Sequence, residues 1–173
     1  KAEDTEAMAD AMGEMQTRSL RDMKWLSNAK DKAIRRLQRE AADQRKAVKA
    51  EVTAEVMAEP VNQARQFLRR GTGKDGQQVE GPHKLSLPAM REMFEGVPAE
   101  LQDWQKLGYG RYGMLAEEGL LPDMVAGDYG YASGEALVEA LLNAEPAAEK
   151  IAGMTDQRML ERFGDLADED AIE

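Results

Sequence analysis

The sequence predicts an all-α protein in which one long N-terminal helix is followed by a small acidic domain of short helices. Three observations predict it. Ala, Glu, Met, Leu, Gln and Arg dominate while Ile, Thr, Phe and Tyr are scarce, a composition of helices rather than strands. From Asp4 to Glu59 there is no proline and a single glycine, Gly13. Beyond Pro60, glycine and proline interrupt the chain at short intervals, each stop separating segments of helix-forming residues.

The first element is an arm over residues 1–59. Its apolar residues recur every eleven positions: Met15, Leu26, Leu37 and Val48 form one column, and Met12, Met23 and Ile34 form a second that continues through Arg45 to Val56. A third column runs Met8, Ser19, Lys30, Ala41 and Val52. Eleven residues span three turns at about 3.67 residues per turn, so the stripe stays nearly parallel to the helix axis. Such a helix would be roughly 80 Å long, more than a small domain covers. Met8, Met12, Met15, Met23, Leu26, Ile34, Leu37, Val48, Val52 and Val56 are therefore the expected interface residues. The partner is a second copy of the chain, another part of a parent protein, or the chain itself should the helix break at Ser27 and Asn28, residues that cap well. Lys30 and Arg45 interrupt the stripe and argue against a dry coiled coil over its full length.

Pro60 sets the next boundary, because proline disfavours helix in the residue before it and suits a first turn. Residues 60–82 read as a second helix to Arg70, followed by a flexible loop with four glycines from Gly71 to Pro82. Residues 83–166 read as the small helical domain. Its expected helices are Ser86 to Phe94, Pro98 to Leu107, Pro122 to Asp128, Ser133 to Asn143, Pro146 to Ala152 and Thr155 to Phe163, with a turn-rich connection at Gly108 to Gly113. Residues 167–173 are expected to be a disordered acidic tail. Lys1 in first place and the acidic run at the end point to a segment of a longer protein.

Charge narrows the function classes. The net charge of −10 lies in residues 119–173, with 3 basic and 13 acidic side chains, whereas residues 1–59 balance 12 against 12. An acidic surface repels phosphate backbones. The absence of cysteine excludes disulfides, thiolate metal sites and cysteine nucleophiles. No apolar run approaches the ~20 residues that cross a bilayer. Eleven methionines suit irregular packing or adaptable contacts.

Catalytic patterns are missing. His83 is the sole histidine and follows Gly81-Pro82 with no serine or cysteine motif nearby, so it reads as a packing or surface residue. Gly71-Thr72-Gly73-Lys74 lacks the spacing of a phosphate-binding loop. No catalytic, cofactor, metal or small-molecule site is expected. Two features admit nucleic acid as an alternative partner. Lys30 to Lys49 holds eight basic and three acidic residues, and Leu121 to Leu142 has the helix, turn and helix order of a DNA reader, although its second helix carries Glu135 and Glu139.

Three stretches carry a resemblance: Gly-Leu-Leu-Pro-Asp-Met-Val-Ala (119–126), Gly-Tyr-Ala-Ser-Gly-Glu-Ala-Leu (130–137) and Thr-Asp-Gln-Arg-Met-Leu-Glu-Arg-Phe-Gly-Asp-Leu (155–166). They resemble a region of the very large multi-domain proteins of tailed bacteriophages and related mobile elements, often called large polyvalent proteins. The similarity extends through Phe67 to Arg70 and Gly81 to Leu85 and covers the last two thirds of the chain. It implies a protein carried inside the virion and delivered to the host cytoplasm, with enzymatic activities in other domains. It transfers no catalytic residue to this segment.

Overall fold

A computed structural model of the chain describes residues 2–164. It is all-α, led by the long helix that the sequence predicts. Helix α1 runs Ala2–Met57, 56 residues without a break at Ser27 or Asn28. Caps act on a chain that turns; inside a run of strong helix formers the two exposed side chains are carried by the helix. Glu3 and Asp4 in its first turn complement the helix dipole.

The junction at Pro60 is built from local chemistry. Glu59 is extended (φ −63°, ψ 134°), as a residue before proline tends to be, and α2 spans Pro60–Arg70. The last carbonyls of α1 lack intrahelical donors. Asn62, buried in α2, donates from Nδ2 to the Val56 carbonyl at 2.9 Å and to the Glu59 carboxylate at 3.2 Å. Gly71 then ends α2 in the left-handed conformation (φ 72°), its N–H donating to the Phe67 carbonyl at 2.7 Å.

The remaining elements are strand β1 (Leu85–Ser86), α3 (Leu87–Met93), β2 (Leu115–Ala116), α4 (Pro122–Asp128), α5 (Gly134–Asn143) and α6 (Ala147–Phe163). The two strands pair in parallel, Leu85 with Leu115 and Ser86 with Ala116, a contact with no signature in the sequence. Gly119 allows the chain to pass the β1 backbone, since a Cβ there would stand 2.6 Å from the Lys84 oxygen. Ala64 and Leu68 of α2, Leu85, Leu87, Met90, Trp104, Leu107, Leu115, Val125, Leu137 and Leu141 share one core.

Several expectations are corrected. Compact units divide between Ala47 and Val48, not at Pro60, because Val48, Val52 and Val56 are buried against Ile151. Residues 60–82 belong with the domain, since α2 supplies part of its core. Their glycine-rich part is an internally bonded hairpin: Gly73 and Val79 donate to the carbonyls of Gln77 and Gly71, and Lys74 reaches the Asp128 carbonyl. Pro98 to Leu107 forms two 3-10 turns, Ala99–Leu101 and Asp103–Leu107, rather than one helix. Trp104 and Leu107, three apart and both buried, suit three residues per turn, and Gln102 breaks the run by donating to the carbonyls of Phe94 and Val97. The pair of helices expected around Gly153 is the single helix α6, whose packing outweighs the roughly 1 kcal/mol that an interior glycine costs. The expected tail at 167–173, and the end of the domain at 165–166, lie outside the described residues.

Two substitutions should move stability in opposite directions. Asn62→Ala removes the side-chain donor to the Val56 carbonyl, which then keeps only the Glu59 N–H, and is expected to destabilise the chain by about 0.5–1.5 kcal/mol in urea unfolding. Thr155, 1% exposed, buries a hydroxyl with no hydrogen-bond partner among the described residues. Thr155→Val keeps its shape and should stabilise by about 1 kcal/mol.

Candidate functional site

The apolar stripe of α1 divides into a covered and an uncovered part. From residue 3 through residue 47 every side chain is exposed. The seven upstream seam residues Met8, Met12, Met15, Met23, Leu26, Ile34 and Leu37 all lie open, from 41% exposed at Ile34 to 71% at Met15. Val48, Val52 and Val56, in contrast, are at most 3% exposed. The stripe predicted from the sequence is therefore one row of a single helix, met among the described residues only at its downstream end. Leu20 and Trp25 are also exposed but fall outside the three columns.

The downstream end has a complete helix-pairing geometry. Ile151 of α6 closes over the three valines, flanked by Ala147, Met154, Met159 and Phe163. Alongside runs a ladder of opposite charges. Arg162 donates two hydrogen bonds to Glu51, both at 2.8 Å, Arg158 donates two to Glu55 at 3.0 and 2.8 Å, and Lys150 pairs with Glu59 at 2.6 Å. Rising numbers in α1 meet falling numbers in α6, so the two helices pack antiparallel. These fork-to-fork contacts hold register as well as charge. They also offset the two carboxylates near the C-terminal end of α1, where the helix dipole disfavours negative charge.

The Arg162 hydrogen bond holds the Glu51 carboxyl below the usual glutamate range, against the opposing effect of desolvation, with further attraction from Arg162 and Arg158. Hydrogen bonding to Glu51 and Glu55 raises Arg162 and Arg158 in turn. The pairing signal was present in the sequence as Glu51, Glu55 and Glu59 opposed by Lys150, Arg158 and Arg162, but only the fold brings the two series together.

Arg65, Lys84 and His83 are engaged in holding backbone. A cavity of about 540 Å³ is lined by Arg65, Arg69, Arg70, Lys106 and the apolar Leu107 and Leu141. Arg65 donates to the carbonyls of Ala144 and Glu145 and to Asn62 Oδ1, and burial followed by the nearby Arg69 charge lowers its pKa. Lys84 donates to the carbonyls of Arg69, Arg111 and Gly113, and burial and Arg69 lower it likewise. His83 Nδ1 donates to the Leu68 carbonyl at 3.0 Å, and its ring meets Phe67 edge-on at 6.5 Å.

The helix-turn-helix-like unit is a tight hairpin. Asp123 Oδ1 accepts from the Gly134 amide at 2.7 Å, Ser133 caps α5 by accepting from Ala136, and Leu137, Val138 and Leu141 face the core. Its exposed positions include Glu135 and Glu139, which would repel a phosphate backbone. The basic side chains between Lys30 and Lys49 are exposed. No helix among the described residues is long and apolar enough to cross a membrane.

No protein-family model, curated protein or solved structure matches the chain.

The ladder makes the α1 and α6 contact sensitive to acid. Because the Glu51 pKa is lowered in the folded chain, its contribution is fully present above the ordinary glutamate range and is lost as pH falls through the lowered value. Glu51→Gln should lower the melting temperature at neutral pH, and the gap from the parent sequence should close on acidification. A gap that stays constant down to pH 3 would contradict this assignment.

Proposed function

We propose that this chain is a non-catalytic interaction segment of a large phage internal protein, whose long helix docks a partner helix along its uncovered stripe. The observation that carries the reading is the contrast within one row of α1: Val48, Val52 and Val56 buried under α6, and Met8 to Leu37 open to solvent. Burying a large aliphatic side chain is worth about 1.5–3 kcal/mol, so seven exposed on one face constitute a large driving force for association. An amphipathic helix with an apolar row is also a recurring element of protein recognition. The motifs at 119–126, 130–137 and 155–166, similar to those of large phage polyvalent proteins, supply the proposed context of the virion interior and host cytoplasm.

The segment needs no small molecule in this reading. His83, Lys84 and Arg65, the side chains best suited to chemistry in the domain, are committed to backbone carbonyls. Nucleic acid has weaker support, since α5 presents carboxylates outward.

Hydrogen exchange in the complete gene product tests the proposal. Amides of residues 8–37 should exchange at least tenfold more slowly than in a variant carrying Met15→Glu and Leu26→Glu, which keeps helix-forming residues while spoiling the stripe. Equal rates would show that nothing docks there.

A further inference from the structure

We propose that the occupant of the uncovered stripe is a second copy of this chain, its α1 laid antiparallel with the midpoint of the contact near Met23. The inference rests on the helix-docking reading above and adds the identity and direction of the partner.

The distribution of charge along α1 selects the direction. Residues 3–14 hold five acids, Glu3, Asp4, Glu6, Asp10 and Glu14, and no base. Residues 18–49 hold eleven bases against four acids. A parallel pair in register would set the acidic stretch on itself and the basic stretch on itself. Reversal about Met23 instead sets residues 3–14 beside 32–43, where Lys32, Arg35, Arg36 and Arg39 outnumber Glu40 and Asp43. Opposite charges along the flanks of paired helices set orientation in this way.

The helix dipole does not account for this polarity. Its influence falls off within the first turn, whereas Asp10 and Glu14 lie two to four turns in, and the last turn of α1 has no basic residue. The apolar row also tolerates reversal. Met12, Met23 and Ile34 are evenly spaced by eleven residues, so a two-fold axis at Met23 carries Met12 onto Ile34. Lys30, the polar break in the row, then falls close to Glu14 and Met15 of the second copy, where its stem can pack and its ammonium can reach a carboxylate. The covered end of α1 has the same construction, with antiparallel α6 over its valines and opposite charges paired beside them.

The chain has no cysteine, so one introduced thiol is unique. Ala7→Cys lies off the three columns and accepts a spin label. Light scattering should report a dimer. Pulsed dipolar measurement should place the two labels about 50 Å apart, from the 1.5 Å rise over the residues between them. A parallel pair would bring them within about 20 Å, and that result, a higher oligomer or a monomer would overturn the proposal. Glu6→Lys, Asp10→Lys and Glu14→Lys together should weaken self-association at least tenfold. Mixing that variant with one carrying Arg35→Glu, Arg36→Glu and Arg39→Glu should restore pairing. A monomer whose residues 8–37 are nevertheless protected in the complete gene product overturns self-pairing alone; unprotected amides in both settings overturn the helix-docking reading with it.

Discussion

An apolar row that returns every three turns on a 56-residue helix must be covered along its length or remain in contact with water. In this chain the cover is α6, and it reaches Val48, Val52 and Val56. That contact decides most of what is distinctive here. It moves the boundary of the compact unit twelve residues upstream of Pro60, and it gives the C-terminal end of α1 the arginines that its glutamates need. It also leaves Met8 to Leu37 as an apolar surface with no counterpart among the described residues. The helix-docking reading is a consequence of this imbalance.

The domain over 48–164 owes its order to polar groups serving the backbone as much as to its apolar core. Asn62 closes the end of α1, Gln102 organises the 3-10 turns, Lys84 gathers three carbonyls and His83 anchors to α2. Each satisfies carbonyls that short, irregular segments cannot pair among themselves. The same habit extends to the cavity lined by arginines, where the guanidinium most withdrawn from water has carbonyl partners. Close backbone approaches at Gly113 and Gly119 belong to the same economy of space, since a Cβ at either would meet main chain below 3 Å.

Legibility in the sequence followed the range of the interaction. Pro60, Pro122 and Ser133 marked helix starts, because a missing amide and a capping hydroxyl act on residues within one turn. The reading failed where a distant contact overrode a local preference. Gly153 did not divide α6, and the glycines of 71–82 did not leave a loose loop, because Lys74 and its neighbours tie that segment down. The pairing of Leu85 with Leu115 had no pattern to find in segments of two residues.

By itself the sequence determined that residues 4–59 favour helix and which face of that helix is apolar, because propensity and periodicity are properties of neighbouring residues on one helix; that Ser27 and Asn28 do not break it was decided by the structure. The apolar positions along that face were legible for the same reason. Only the tertiary structure decided which of them are already spent, since that depends on α6 returning from about a hundred residues away with Ile151 and its arginines. A periodic stripe states that a surface needs a partner. Which part of it finds one within the chain is set by long-range packing, which no local pattern encodes.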